Sequence, residues 1–160
     1  MKLRLFREED GIECWRLFHD TVHRVNCRDY SREQLDAWAP ESLDLEAWCR
    51  RFQNRVALVV ESDSKLIGFA DMTGDGHLDR LFVSADHQRQ GVAKLIWTEL
   101  AEHARRLNCE TVLTEASLTA KPFFESVGFQ VLQRQQVNCR GVFLVNFRME
   151  WRCGGFDQGE

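Results

Sequence analysis

The chain has 160 residues, of which 44% are hydrophobic and 29% are charged, and its formal net charge is −4. This length and balance are typical of one globular domain with a substantial core. The acidic balance argues against nucleic-acid binding, which usually needs a basic surface, and the longest apolar run, residues 56–60, is too short to cross a bilayer.

The cysteine pattern indicates the cellular compartment of the protein. They lie at positions 14, 27, 49, 109, 139 and 153, with no C-x-x-C pair and no spacing typical of zinc ligands. Residues 1–6 alternate polar and apolar side chains, which predicts a strand and not a signal peptide. We therefore expect a cytoplasmic protein with reduced cysteines, no membrane segment and no metal.

The first third of the chain predicts one strand followed by three helices. Apolar residues recur at helical spacing over residues 12–22. Ser31 and Gln34 have the spacing of a capping box, which opens a second helix that ends before Pro40. A third short helix is expected over residues 45–52.

The middle of the chain predicts an antiparallel meander and a long helix. Residues 56–61, 65–73 and 77–83 are β-rich segments joined by short turns. Residues 92–107 then show the apolar periodicity of an amphipathic helix. Asn108 is suited to the left-handed conformation that ends such a helix.

The last third predicts a parallel strand, a short helix and a hairpin. Residues 111–115 follow the long helix, so this strand should run parallel to residues 77–83. A helix over residues 120–127 and a hairpin around Arg140 and Gly141 complete the order βαααβββαβαββ. We expect one α/β domain over residues 1–151 and a flexible tail over residues 152–160.

The hairpin leaves the oligomeric state open between a monomer and a homodimer. One face of its second strand carries Phe143, Val145, Phe147 and Met149. Such a face suits either the core or a dimer surface, and we expect the core.

The most informative segment joins residues 77–83 to the long helix. It consists of Gln88, Arg89, Gln90, Gly91, Val92 and Ala93. A helix start carries unpaired backbone N–H groups and a partial positive charge, so directly after a strand it can bind phosphate. Gly91 lets the backbone approach such a ligand closely. No P-loop or dinucleotide motif is present.

Basic residues surround this segment. Arg80, Arg89, Lys94, Arg105 and Arg106 offer positive charge to an anionic cofactor. For Arg105 and Arg106, the alternative is a solvated helix face.

This segment resembles the Q/R-x-x-G-x-G/A pyrophosphate loop of the GNAT-type N-acetyltransferase superfamily. Residues 120–129 read AKPFFESVGF and resemble that family's A-x-x-x-Y-E-x-x-G-F segment. The element order is similar to the family's mixed, mostly antiparallel sheet flanked by helices, over nearly the whole chain. Residues 30–38 and 137–141 resemble a subgroup of its bacterial members.

The resemblance implies transfer of an acetyl group from acetyl-CoA to a primary amine of a small molecule or peptide by direct attack. The backbone of Leu81, Phe82 and Val83 would pair with the pantetheine arm, and the amides of residues 88–93 would hold the pyrophosphate. Ser117, Lys121 and Phe124 would lie beside the coenzyme. Ser117 has a structural alternative as a helix cap.

The amine must lose a proton, since alkyl amines have a pKa of about 10. In the family the base is often a carboxylate on the strand before the loop, and Asp79 occupies that position. A carboxylate within an apolar strand is otherwise explained by a salt bridge to a nearby arginine or by a helix cap. Asp71 and Glu115 are further candidates.

The leaving thiolate has no obvious proton donor. Many family members place a tyrosine where this chain has Phe124, and a phenyl ring cannot donate a proton. Tyr30 is the only tyrosine, and it lies in a region that often lines the family's acceptor pocket. His23 and Cys139 are weaker candidates with structural alternatives. Phe124 also motivates a second function, that of a non-catalytic acyl-CoA sensor.

Overall fold

A mixed sheet organises residues 1–154, which are the residues that this computed structural model describes. Within that range the sheet has seven strands in the order β1-β2-β3-β4-β5-β7-β6. The strands are β1 (Lys2–Leu5), β2 (Arg55–Ser62), β3 (Lys65–Thr73), β4 (His77–Val83), β5 (Thr111–Ser117), β6 (Gln130–Cys139) and β7 (Val142–Arg152). Strands β4 and β5 are parallel, and the other neighbouring pairs in this range are antiparallel.

Helices cover both faces of the sheet. They are α1 (Gly11–Arg24), α2 (Arg32–Trp38), α3 (Leu45–Arg50), α4 (Val92–Arg106) and α5 (Lys121–Ser126). The element order and the mostly antiparallel α/β fold predicted from the sequence are confirmed. None of the helices in residues 1–154 combines the length and the apolar character needed to span a bilayer.

Local signals in the sequence set several helix ends. The hydroxyl oxygen of Ser31 accepts a hydrogen bond from the Gln34 amide, and the Gln34 side chain accepts one from the Ser31 amide. This reciprocal pair is the predicted capping box at the start of α2. Asn108 follows α4 with φ +61°, which is the predicted left-handed end.

Two hydrophobic cores lie on opposite faces of the sheet, because side chains alternate along each strand. One core packs Ile96 and Leu100 of α4 against Met72. The other packs Phe18 of α1 against Phe69. Burial of each such side chain contributes about 1.5–3 kcal/mol, so both helical layers are fixed to the sheet.

The sheet splits between its two parallel strands. Their pairing is limited to His77 with Leu113 and Leu78 with Thr114. On its other side β4 stays paired with β3 as far as Val83. A β-bulge lies where the split begins, because the register passes from Asp71–Arg80 to Met72–Leu78 and leaves Asp79 as the extra residue.

The end of the chain departs from the sequence prediction in two places. Met149 is fully buried as expected, but Phe143 is 58% exposed, and it lies next to the hairpin turn. Strand β7 continues through Arg152, and Cys153 is buried. The first two residues of the predicted tail therefore belong to the fold, and residues 155–160 lie outside the described part.

Candidate active site

A cavity of about 690 Å³ opens at the split between β4 and β5. Both strands line it, with residues 79–83 on one side and 114–117 on the other. Residues of α1, α2, α3 and the β6–β7 hairpin close it on the face opposite α4. The cavity thus joins the end of β4 to a chamber beneath the first three helices.

The open edge of β4 is suited to an extended ligand. Leu81, Phe82 and Val83 line the cavity and, within the described residues, pair with β3 alone. A strand edge of this kind offers backbone groups to a chain that lies alongside it. The Val83 carbonyl already accepts hydrogen bonds from the hydroxyl of Thr21 and the side chain of Gln88.

The start of α4 has the geometry of an anion site. Gly91 is its N-cap with φ +84°, and a Cβ there would meet nothing within 4 Å. The first amides of a helix have no partner within the helix, so they are free to face an anion in this open space. The Gln88 side chain does not face this space freely, because it donates hydrogen bonds to the carbonyls of Val83 and Ser84 at 2.8 and 3.2 Å. It ties the loop to the end of β4.

The bulge directs Asp79 toward two arginines, Arg51 just after α3 and Arg55 at the start of β2. Its Oδ2 accepts hydrogen bonds from Arg51 and Arg55, both at 3.1 Å, so the salt-bridge alternative is realised. Burial alone would raise the pKa of Asp79, but the charges of Arg51, Arg80 and Arg55 outweigh it and hold the pKa below its usual value. Asp79 also lines the cavity, where it stands as a stable negative charge.

Asp71 is not available as a base, contrary to the sequence expectation. It is fully buried and accepts hydrogen bonds from Arg80 at 2.8 and 3.0 Å and from Arg55 at 2.8 Å. Arg80 is correspondingly unavailable to a coenzyme phosphate. Its guanidinium lies between the rings of Trp48 and Phe52, 4.5 and 4.3 Å from their centres. The bulge explains the error, because it sets Arg80 opposite Asp71.

Tyr30 reaches the cavity wall, but its hydroxyl is already engaged. It donates to the carbonyl of Val145 at 2.7 Å and accepts from the amide of Leu118 at 2.9 Å. Burial raises the pKa of this phenol. Tyr30 therefore fastens the end of β5 to β7 and is poorly placed to donate a proton to a thiolate.

The weaker acid candidates also have structural partners. The ring of His23 donates through Nε2 to the carbonyl of Ala39 at 2.8 Å. The thiol of Cys139 donates to the carbonyl of Ala37 at 3.4 Å. The His23 bond joins α1 to the end of α2, and the Cys139 bond joins the β6–β7 hairpin to the end of α2.

The three expected neighbours of the coenzyme lie in different settings. Phe124 is buried and lines the cavity. Ser117 also lines it, and its hydroxyl oxygen accepts from the amide of Ala120, the residue before α5, at 3.0 Å. Lys121 is not among the cavity residues and instead pairs with Glu125 at 3.3 Å. Its predicted contact with the coenzyme stays a prediction.

Two further charged residues line the cavity, and the first was not evident from the sequence. Arg51 was not singled out, because its contact with Asp79 spans 28 residues and depends on the fold. Glu115, the third candidate carboxylate, lies on the cavity wall with His77 Nε2 at 3.2 Å. Within residues 1–154, no group of three or more His, Cys, Asp or Glu side chains is placed to hold a metal ion.

A mixed sheet that splits between parallel strands, next to a glycine-initiated helix, provides an open strand edge and an anion site beside one cavity. Comparison with known proteins identifies the family. A family model described as an acetyltransferase (GNAT) domain matches residues 26–151. The chain belongs to the GNAT family, and it is an acetyl-CoA-dependent acyltransferase.

Similar proteins cover almost the whole chain. The curated relative "Uncharacterized N-acetyltransferase YafP" of Escherichia coli (strain K12) is 31% identical, with 95% of this chain and 96% of the relative covered. "Peptidyl-lysine N-acetyltransferase YjaB" of Salmonella typhimurium is 29% identical over 88% of this chain and 91% of its own. The crystal structure of a GCN5-related N-acetyltransferase from Rhodopseudomonas palustris has a TM-score of 0.91 and 27% identity, with 94% of each chain covered.

Proposed function

We propose that this enzyme transfers the acetyl group of acetyl-CoA to a primary amine of a small molecule or peptide. One observation carries the proposal: the open edge of β4 and the carboxylate of Asp79 line the same cavity. A thioester held along that edge would lie beside a fixed negative charge suited to an ammonium group. The relatives named as N-acetyltransferases, one of them for peptidyl-lysine, support an amine acceptor.

The backbone provides the coenzyme site in this proposal. Amides of residues 88–93 hold the pyrophosphate, and Gly91 leaves the space in which the phosphates approach. The pantetheine arm lies along Leu81, Phe82 and Val83 as an additional strand. The thioester then reaches the split, where Phe124 supplies an apolar wall.

Asp79 acts in this mechanism as an anchor for the acceptor. An alkylammonium has a pKa of about 10, and the pKa of Asp79 lies below that of an ordinary carboxyl group. Direct proton transfer would therefore be uphill by about 8 kcal/mol or more. We infer that Asp79 binds the ammonium form and that the proton leaves to water before the amine attacks.

The chemical step then needs no acid from the side chain at position 124. The neutral amine nitrogen attacks the carbonyl carbon of the thioester, the carbon–sulfur bond breaks, and the surplus proton on nitrogen passes to water. The sulfur leaves as a thiolate, which is tolerable because a thiol has a pKa of about 8.5. Phe124 is thus compatible with turnover.

A sensor without useful turnover is the alternative. It is favoured by Phe124 at the expected acid position, by the engaged hydroxyl of Tyr30, and by the two arginines on Asp79. This alternative predicts tight binding of acetyl-CoA with no acetylated product.

One experiment separates the two functions. Thiol release from acetyl-CoA is measured across a panel of primary amines, and product masses confirm acetylation. Wild type is compared with Asp79→Ala and with Asp36→Ala, which removes an exposed carboxylate on α2. We expect the wild type to acetylate at least one amine. Asp79→Ala should lose most of this activity, whereas Asp36→Ala should keep it. Coenzyme binding without product from any amine would establish the sensor instead.

A further inference from the structure

We propose that Arg51 determines acceptor specificity as an internal competitor for Asp79. In the substrate-free enzyme its guanidinium occupies the place that the acceptor's ammonium takes, so acceptor binding exchanges one cation for another. This inference rests on the proposed function and identifies the acceptor as an amine that enters in its charged form.

The charges around Asp79 leave one cation in excess. Two carboxylates, Asp71 and Asp79, face three guanidinium groups, those of Arg51, Arg55 and Arg80. Asp71 is satisfied by Arg80 and Arg55 without Arg51. If Arg51 swings away, two carboxylates remain balanced by two guanidinium groups, and Asp79 can accept a new cation.

Arg51 is also the least anchored of the three arginines. Its side chain is 48% exposed, compared with 20% for Arg55 and 4% for Arg80. Arg55 is held by both carboxylates at once, whereas the ion pair of Arg51 is with Asp79. An exposed ion pair of this kind contributes little to stability, so exchanging its cation costs little.

The position of Arg51 in the cavity makes it the exchangeable group. Arg51 and Asp79 both line it, whereas Arg55 approaches Asp79 from outside the cavity lining. Both contacts reach Oδ2 of Asp79, and Oδ1 receives no hydrogen bond from residues 1–154. A ligand ammonium can therefore bind Oδ1 first and then take over the position of Arg51.

The surrounding side chains suit a cation on an apolar stem. The rings of Trp15 and Trp38 line the same cavity. Aromatic faces attract ammonium groups and also bury methylene chains. An alkylammonium suits this lining. A neutral amine cannot replace the Arg51 guanidinium at Asp79, because it carries no charge.

The test compares Arg51→Gln with Arg50→Gln, which removes the neighbouring arginine that pairs with Glu46 on the surface. The acceptors are an alkyl amine, charged at pH 7.5, and an aromatic amine of similar size, neutral at that pH. We expect Arg51→Gln to lower KM for the alkyl amine about 2- to 5-fold, the upper part of the range of one exposed ion pair. Its kcat, its KM for acetyl-CoA and its KM for the aromatic amine should not change.

Two controls complete the design. Arg50→Gln should behave as wild type, and Arg51→Lys should restore the higher KM because it restores the competing charge. The Kd of the alkyl amine, measured by tryptophan fluorescence without coenzyme, gives a readout that needs no turnover. It should fall in Arg51→Gln by the same factor as KM.

The possible outcomes separate the two proposals. A lower Kd in Arg51→Gln with no acetylated product from wild type supports the exchange and rejects the proposed function. Acetylated product with unchanged or weaker binding of the alkyl amine in Arg51→Gln rejects the exchange and keeps the function. An equal gain for both amines also rejects it, because removal of bulk alone would explain that result.

Discussion

Asp71 and Arg80 face each other across β3 and β4, and the Asp71 carboxylate accepts hydrogen bonds from Nε and Nη2 of Arg80. Both side chains are buried. Asp79, the next residue along β4, has no partner on β3 because the bulge falls there. The pair thus fixes the point at which β4 turns its carboxylate toward the cavity, and the mechanism depends on that direction.

Asp71→Asn should destabilise the fold strongly. It keeps the shape of the side chain but leaves the buried Arg80 without a compensating charge, which typically costs about 3–5 kcal/mol. The free energy of unfolding in urea measures the effect, and Asp36→Asn on the surface should stay within about 0.5 kcal/mol of wild type. A loss below about 1 kcal/mol for Asp71→Asn would show that the ion pair is not essential.

Gly91→Glu should weaken acetyl-CoA binding at least about 10-fold, since it places a negative charge where the phosphates approach. Gly141→Glu is the matched control, because Gly141 also has φ +84° and a Cβ added there would meet nothing within 4 Å. The two variants carry the same backbone strain and the same added charge. Calorimetric titration with acetyl-CoA should therefore separate them, and equal affinities would contradict the pyrophosphate assignment.

The pH dependence of kcat/KM should follow the acceptor amine. Asp79 stays ionised above its lowered pKa, so its negative charge is constant from about pH 5 upward and is lost only as the pH falls further. At saturating acetyl-CoA, kcat/KM should rise with pH toward the pKa of the amine, in wild type and, at lower rates, in Asp79→Ala. An acidic limb above about pH 6 that disappears in Asp79→Ala would instead indicate a general base.

Tyr30→Phe should affect stability more than chemistry. It removes the bonds to Val145 and Leu118 and leaves a part-buried amide unpaired, which costs about 1–3 kcal/mol. The midpoint of urea unfolding should fall while kcat stays within about threefold of wild type. A fall in kcat of about 100-fold with unchanged stability would restore Tyr30 as the acid.

The sequence was sufficient for features that depend on neighbouring residues. The capping box at Ser31, the left-handed Asn108 and the glycine at the start of α4 involve contacts within a few positions. The Lys121–Glu125 pair has the helical i,i+4 spacing as well. That pair could therefore be predicted from the spacing alone.

Features that depend on distant contacts could not be predicted. The partners of Tyr30 lie 88 and 115 residues further along the chain. The environment of Asp79 depends on Arg55 and Arg51, which lie 24 and 28 residues away, and on a bulge that no local sequence pattern predicts. The sequence therefore identified Asp79 as a candidate but did not show that nearby arginines lower its pKa and make it a weaker base.

A crystal structure with bound acetyl-CoA tests the central claim most directly. We expect the pyrophosphate on the amides of residues 88–93, the pantetheine arm along Leu81–Val83, and the thioester in the cavity with Asp79. Coenzyme bound elsewhere, or a thioester turned away from the Asp79 side of the split, would contradict the proposed transfer.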